Sequence, residues 1–517
     1  MIPSAHNAID VAALVRRAGL AHPHKTAIVW EEGRRTYTEL LARIDALAGQ
    51  LREMGVREGM RVGLALGNGP TFVEGYLAAA QLGAIAVPLN PLQTAREHDH
   101  ILHDAEPRVL IADAVAAPTL RGAKLLTASQ LLTDGVEMPK GTDYEATVQQ
   151  GVATKPPRPI LDLEAPLAIL YTSGTTGTPK GVVRSQFAGA MIVALRQSAM
   201  FIGPDTVLYA CTPMFHAAGH EFMLLQTLGA GGTVVSRRRF DATGIVADVD
   251  KHAATHVFFV PTMSAAIAAA LTEAGTTWPS VKLWMSAASP LPEWVRDAIL
   301  KSAPDVRVWN CYGLTEGGTL TYMRDDAIAT RPGHCVGRAG PGMAVRIVDA
   351  EGNDAPHDEV GEIVCRSPES MSGYWQDSHL TAQVVRNGWV HTGDLGSLDA
   401  DGYLTLAGRL KDVVISGGVN VYAAEVEAHL LADRAVREVA VIGVPHPHWG
   451  EAVVAVVAPE EPDADLADTL DAHAHAGLAA PKCPKRYVTK DTLPRNSMGK
   501  VVKDDLRQEF AGLFADS

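Results

Sequence analysis

The sequence predicts an α/β protein. Its large N-terminal region holds two α/β layered subdomains and a small β-barrel-like subdomain, and a small α+β region follows. Three observations carry this reading. Strand-like and helix-like apolar patterns alternate over residues 10–110 and again over residues 207–308. After about residue 330 the pattern changes to short β segments divided by Gly- and Asp-containing turns. From residue 411 a helix, two strands and a second helix follow in close succession.

In the first stretch, Leu40, Leu41, Ile44, Leu47 and Leu51 recur at helical spacing, which predicts a helix over residues 37–54. Arg61-Val62-Gly63-Leu64-Ala65-Leu66 reads as a buried strand, residues 72–82 as a helix and 84–89 as a strand. Such alternation predicts a mainly parallel sheet covered by helices. Residues 140–165, rich in proline and charge, read as a surface connection. Leu167-Ala168-Ile169-Leu170, a polar loop and Val182-Val183 read as strand, loop, strand. The second stretch places strands at Val207-Leu208-Tyr209, Thr233-Val234-Val235, Val257-Phe258-Phe259-Val260 and Lys282-Leu283-Trp284-Met285. The two stretches are similar in size, without a sequence repeat. Beyond them, Val345-Arg346-Ile347-Val348, Glu362-Ile363-Val364 and Tyr403-Leu404-Thr405-Leu406 suggest a small barrel, with Asp399-Ala400-Asp401-Gly402 as a hairpin turn. The last region reads as helix 423–431, strands 436–444 and 452–457, and helix 464–478. A boundary at residues 409–411 divides the chain into 1–409 and 410–517.

At 517 residues there is room for roughly three or four domain-sized units. Hydrophobic residues at 47% and charged residues at 20% suit large cores. The net charge of −14 argues against nucleic acid or an anionic membrane as the main partner, while leaving room for a local basic pocket. Five scattered cysteines without a CxxC pair fit a reducing cytoplasm and give no zinc signature. The opening MIPSAHNAIDVAALVRR lacks the pattern of a secretory signal. The longest apolar run, residues 257–271, is interrupted by Pro261, Thr262 and Ser264 and is too short to span a bilayer. The expected location is the cytoplasm.

Residues 171–181, YTSGTTGTPKG, are the most informative string. Small hydroxyl residues (Thr172, Ser173, Thr175, Thr176, Thr178), the glycines Gly174, Gly177 and Gly181, and Lys180 offer backbone N–H groups, hydroxyls and an ammonium to a polyphosphate. The string is not a Walker A loop, because Pro179 precedes Lys180 and Gly181 follows it. ATP is expected; the P-loop route to γ-phosphate transfer is not. Tyr312-Gly313-Leu314-Thr315-Glu316 follows a strand, where Thr315 and Glu316 can meet phosphate and Mg²⁺; alone it reads equally as a capped loop. Thr392-Gly393-Asp394 and Gly408-Arg409 are one hairpin apart; Asp394 suits ribose hydroxyls, though an Asp/Arg turn pair reads as well. Pro494-Arg495-Asn496-Ser497-Met498-Gly499-Lys500 places a lysine in the tail.

Together and in this order, these strings resemble the adenylate-forming superfamily of acyl-CoA synthetases, aryl-CoA ligases, luciferases and peptide-synthetase adenylation domains, over residues 10–510. The resemblance implies a large N-terminal domain and a small, mobile C-terminal one. It also implies a two-step reaction in which a carboxylic acid attacks the α-phosphate of MgATP, and a thiol or other nucleophile then takes the acyl group. By this resemblance the loop from Thr172 through Ser173, Gly174, Thr175, Thr176 and Gly177, with Lys180, holds the β- and γ-phosphates. Thr315 and Glu316 serve the α-phosphate and Mg²⁺, with Glu316 as metal ligand. Asp394 and Arg409 hold the ribose. Ala287, Ala288 and Ser289, with Asn310, Tyr312 and Gly313, bracket the adenine. Lys500 bridges the acid and the α-phosphate. Lys411 matches the hinge, Gly417-Gly418 the acceptor path, and His216 in Pro213-Met214-Phe215-His216 the gate of the acid site, where a structural loop histidine is the alternative.

Several positions depart from a CoA ligase pattern. Pro481 stands where an aromatic is usual, Val419 where a glutamate and Ala423 where a proline are common, and Ser185-Gln186 where Ser-His is frequent. His220 and Glu221, beside the gate, are expected to face solvent or pair with each other, with reading of a polar group on the acid as the alternative. The expected acceptor is CoA, with an amine as the alternative. No cation stands out in the pocket segments, which favours an aromatic, alicyclic or medium aliphatic monocarboxylate.

Overall fold

The computed structural model describes residues 10–121, 130–138, 141–151, 161–173, 179–287, 291–328, 330–331, 334–462, 465–495 and 501–514. The chain divides into two compact units. One comprises Met1–Thr330, Ala339–Ala344 and Arg366–Val390; the other comprises Arg331–Arg338, Val345–Cys365 and His391–Ser517.

The first unit is layered α/β, as the alternating patterns require. One sheet runs in the order Gly373–Tyr374, Pro179–Ser185, Pro166–Ser173, Ile85–Leu89, Arg61–Ala65, Val109–Asp113, Gln130–Asp134, Gly141–Asp143. Its pairings are parallel from Pro166–Ser173 outward through Ile85–Leu89 and antiparallel at the Pro166–Ser173/Pro179–Ser185 hairpin. The other sheet runs Gly318–Met323, Arg307–Leu314, Leu283–Ala287, His256–Phe258, Val207–Ala210, Thr233–Ser236, Thr26–Trp30, Gly33–Thr36. Its central pairings are parallel, and its two outermost pairings are antiparallel. The helix over Tyr37–Glu53 begins where Thr36 and Glu39 close a capping box, which satisfies free backbone donors of the first turn. The helix Pro70–Gln81 is buried at every residue, because a single apolar core joins strands of both sheets around it.

Residues 141–151 correct the expectation of a plain surface connection. They form the strand Gly141–Asp143 and the helix Tyr144–Gly151. The fully buried Tyr144 donates its hydroxyl to Glu74 at 2.7 Å. An aromatic ring that buries this much apolar area anchors a helix too short to stand alone.

In the second unit, Ala344–Val348, Gly361–Arg366, Trp389–Leu398, Leu404–Arg409 and Cys335–Ala339 lie side by side in that order, the barrel-like sheet expected from the turn spacing. Asp399 closes its hairpin by accepting from the amides of Asp401 and Tyr403. The C-terminal sheet orders Val419–Tyr422, Val413–Ser416, Gly450–Pro459 and Val436–His446, with Arg486–Thr489 parallel to Gly450–Pro459. Alternation along its strands feeds two cores. Val441, Val453 and Val457 face the helices Ala423–Leu430 and Leu466–Gly477, while Ala440, Ile442, Val454 and Val456 pack with Leu506 of the helix Lys503–Glu509. Among the described residues no helix is long and apolar enough to cross a membrane.

Candidate active site

The polar loop is carried by an antiparallel hairpin whose ladder pairs Thr172 with Lys180 and Tyr171 with Gly181. Gly174, Thr175, Thr176 and Gly177 lie outside the described residues, as does the side chain of Ser173. The strand Gly373–Tyr374 pairs with Val182 and Val183 of this hairpin, and the Trp375 amide donates to the Gly181 carbonyl at 2.7 Å. Gly181 must be small there: a Cβ would stand 2.7 Å from Ile169 and 3.1 Å from Trp375. Tyr374 then reaches away from the ladder and donates its hydroxyl to Glu316 Oε1 at 3.0 Å. Burial, and next the Glu316 charge, raise the Tyr374 phenol well above its usual range, so it stays a donor. The Glu316 carbonyl accepts from Met371 N at 2.8 Å. Thr315 and Glu316 thus form a turn tied to the Pro166–Ser173/Pro179–Ser185 hairpin through one tyrosine.

The expected adenine bracket is a set of neighbouring strand ends. Ser286 pairs with Asn310 and Ala287 with Cys311 in a parallel ladder, so Ala287, Asn310, Tyr312 and Gly313 gather at the carboxyl ends of two strands. Open α/β sheets place ligands there. Ala288 and Ser289 lie outside the described residues. Asn310 is buried, with its Oδ1 turned to the Cys311 amide at 3.1 Å.

His216 caps the short helix Ala217–His220 and lies against Phe215, with ring centroids 4.4 Å apart. The segment before it is fixed by Asn68, which donates to the carbonyls of Cys211 and Thr212 and accepts from Met214 N at 2.7 Å. His220 and Glu221 correct the expectation that they face solvent: both are buried. Gly219 lets the helix sink, because a Cβ there would stand 1.9 Å from the Pro213 carbonyl. His220 packs against Phe72 and Tyr76 and points Nδ1 at the carbonyls of Met214 and His216, 2.7 and 2.9 Å away, which puts its proton on Nδ1. Glu221 accepts from Nε and Nη2 of Arg184, both at 3.1 Å. Burial opposes its charge, yet Arg184 holds its carboxyl below the ordinary range.

In the second unit Asp394 and Arg409 are ladder partners, and Arg409 Nε lies 3.0 Å from Asp394 Oδ1. Gly393, at φ 68°, turns the chain so that its amide meets Glu362 at 3.1 Å. Lys411 sits in the single turn Leu410–Asp412 and lies 3.6 Å from Asp504. Gly417 is overlaid by the exposed Trp449, whose carbonyl accepts the Gly417 amide at 2.8 Å. Arg495 and Val501 pair across the tail segment; Lys500 lies outside the described residues.

Residues 15–375 match the AMP-binding enzyme family, and residues 425–500 match the AMP-binding enzyme C-terminal domain. The chain belongs to the AMP-binding enzymes. It is 36% identical over 501 residues to a feruloyl-CoA synthase of Amycolatopsis sp, covering 96% of this chain and 98% of that one. Among solved structures, ATP-bound MatB from Rhodopseudomonas palustris superposes with a TM-score of 0.87 at 31% identity, over 97% of this chain and 99% of that one. The amide bond synthetase McbA from Marinactinospora thermotolerans gives 0.85 at 30% identity, over 97% and 100%.

Within this AMP-binding enzyme, Tyr374, Arg184, Glu369 and Asn68 escaped the sequence reading. A polar signal was present for two of them: Arg184 interrupts the apolar run of a strand, and Tyr374 stands in Gly373-Tyr374-Trp375, an aromatic pair after a glycine. The donor set also bears on magnesium. No three His, Cys, Asp or Glu side chains converge among the described residues. Glu316, with one oxygen engaged by Tyr374, fits the single carboxylate that Mg²⁺ commonly takes alongside phosphate oxygens and water.

Proposed function

We propose that this AMP-binding enzyme is an acid–thiol ligase of the AMP-forming type, which activates a carboxylic acid with ATP and passes the acyl group to CoA. The observation that carries the reading is Tyr374: its backbone continues the hairpin that bears Lys180, and its hydroxyl aims Glu316. Cation and carboxylate are thereby tied to one short strand, as binding a magnesium polyphosphate requires.

In the first step a carboxylate oxygen of the acid bonds to the α-phosphorus of ATP, and the bond to the bridging oxygen of pyrophosphate breaks. The product is an acyl-adenylate. In the second, the sulfur of CoA bonds to the acyl carbon and AMP leaves. A carboxylate is a poor electrophile, so the first step supplies the leaving group that the second needs. Its barrier is the approach of one anion to another, which calls for fixed positive charge and positioning. The loop from Thr172 to Gly177 and Lys180 serve the β- and γ-phosphates, and Thr315 serves the α-phosphate. Ala287, Ala288, Ser289, Asn310, Tyr312 and Gly313 bracket the base. Asp394 and Arg409 take the ribose, Lys500 quenches the charge between acid and phosphate, and His216 gates the acid. Glu316 would hold Mg²⁺, which supplies charge neutralisation to the phosphates. The division at residues 409–410, with Lys411 as the pivot, belongs to the same proposal.

The acceptor has a second reading, an amine, favoured by the likeness to McbA and by Pro481, which offers no π face in the turn Ala480–Lys482. CoA remains preferred because the exposed indole of Trp449 covers Gly417 in the segment expected to line the acceptor path. The test is an acid panel with ATP, followed by competition between CoA and amines. Pyrophosphate and AMP are expected; ADP, or no turnover with any acid, overturns the reading. Trp449→Ala is expected to raise the KM for CoA about tenfold, as loss of one base-stacking surface would, while pyrophosphate release stays intact. An unchanged KM removes Trp449 from the acceptor path.

A further inference from the structure

Arg184 is 1% exposed and sits on the second strand of the phosphate hairpin. Its guanidinium reaches three other parts of the first unit. Nη2 donates to the Thr315 carbonyl at 2.8 Å, Nη1 donates to the Glu369 carbonyl, and Nε and Nη2 grip the carboxylate of Glu221. Glu369, fully buried, is bound through its carboxylate by Arg196 and accepts from the Thr319 amide at 3.1 Å. Arg196 in turn donates to the Glu221 carbonyl at 2.8 Å. Two arginines and two glutamates, each at most 4% exposed, therefore form one closed, charge-balanced cluster. The backbone has been shaped to admit it. Gly318, at φ 82°, stands where a Cβ would lie 2.6 Å from Glu369, and a Cβ on Gly313 would lie 2.4 Å from the Gly318 carbonyl.

The cluster clasps the Thr315–Glu316 turn from both sides. Arg184 holds the carbonyl just before Glu316, and Glu369 holds the amide of Thr319, three residues beyond it at the start of the next strand. An apolar core could fill this volume at less desolvation cost, because burying four charges is expensive even when they are paired. What apolar side chains cannot do is orient a carbonyl and an amide. A planar guanidinium with donors in a fixed fork can fix several acceptors at once, and a lysine cannot.

We propose that Arg184, with Glu221 and Glu369, is a positioning residue that sets the backbone of the Thr315–Glu316 turn and hence the aim of the Glu316 carboxylate at magnesium polyphosphate. The same arginine holds the residue that ends the His216 helix, so the acid gate and the metal turn share one anchor. This inference rests on the roles given above to Thr315 and Glu316.

The test compares Arg184→Lys, Arg184→Met/Glu221→Met, Tyr374→Phe and Glu316→Ala in ATP–pyrophosphate exchange across a magnesium titration, with rates scaled to the folded fraction. The double variant removes both charges at similar volume, so the fold is expected to survive. Both Arg184 variants should lower kcat about 10–100-fold per folded molecule, the scale set by misplacing a group in the site. They should also raise half-saturating Mg²⁺ several-fold and leave the KM for the acid within about twofold. Tyr374→Phe should reproduce the magnesium shift without touching the ion cluster. The inference is overturned if the Arg184 variants lose only thermal stability while kcat and magnesium dependence stay unchanged. Failure of both to fold overturns it as well, in favour of a purely architectural cluster. If Glu316→Ala exchanges pyrophosphate like the parent, it is the assignment of Glu316 that fails, before Arg184 is judged.

Discussion

The two units hold these charges in opposite ways. In the first, Arg184, Arg196, Glu221 and Glu369 are withdrawn from water and saturate one another. In the second, Arg409 is half exposed although its partner Asp394 is buried, and Lys411 and Asp504 are 40% and 48% exposed. Arg507, which binds both Asp412 and Asp504, is also partly open to solvent. A buried pair is costly to assemble and costlier to break one partner at a time. An exposed pair is screened, nearly neutral in free energy and easily exchanged. The contrast suits fixed geometry at the turn around Glu316 and, under the proposal that Lys411 is the pivot, easy rearrangement of the segment around it.

The hardest blow to this contrast falls on the buried side. Glu369→Ala leaves Arg196 charged and unpaired in the core and frees the Thr319 amide. It should destabilise the first unit by about 3–5 kcal/mol, read as a lower denaturant midpoint. A loss below about 1 kcal/mol, the range of exposed pairs, would mean that the cluster behaves like a surface network and that the comparison is empty.

Next comes a change of rate without a change of stability. Lys500→Ala should lower ATP–pyrophosphate exchange ~10²–10³-fold, the scale of one preorganised charge donor, with the melting transition unmoved. Exchange within a few-fold of the parent would remove this lysine from the chemistry.

How much of this was visible beforehand depends on where the partners of each residue lie. The family was legible because the string that marks it is contiguous, small hydroxyl residues, glycines and one lysine within eleven positions. The helix at Tyr37–Glu53 was legible because its apolar spacing and its capping pair sit within a few residues of each other. Arg184 was not, because its acceptors are 37, 131 and 185 positions away in the chain. Nothing local distinguishes a buried, fully paired arginine from an exposed one. Glu221 was missed for the same reason: the arginine that grips its carboxylate is 37 positions away. The helix Tyr144–Gly151 was hidden by its polar sequence, since Tyr144 and Glu145 are held by Glu74 and Arg43 from distant helices.

A third experiment sharpens the comparison through pH. Burial lowers the pKa of His220, which faces Glu221 and Arg184 and packs on Tyr76 and Phe72. A base whose folded pKa is lowered takes up its proton in the unfolded chain first. Stability is therefore lost as pH falls below the unfolded value of about 6.5, by at most about 1.4 kcal/mol per pH unit. His220→Asn, whose amide can still donate toward the Met214 carbonyl, should flatten that slope in denaturant melts at descending pH. Parallel slopes for parent and variant would show that His220 accepts its proton while folded, and that the cluster tolerates a fifth charge.

The smallest effect belongs to the exposed side. Asp504→Asn removes the carboxylate that Lys411 and Arg507 share, and leaves Arg507 its contact with Asp412. Pairs this open are worth roughly 0.2–1 kcal/mol and fade as salt screens them. The variant should therefore melt close to the parent, and the small difference should vanish in high salt. If the Lys411 segment turns by exchanging such contacts, the cost of letting go is what limits the turn. Thioester formation, the step after adenylation, should then keep pace with the parent or exceed it. A loss of several kcal/mol that persists in high salt would show that the segment is clamped as firmly as the glutamate turn, and the division of labour between fixed and exchangeable charges would fail.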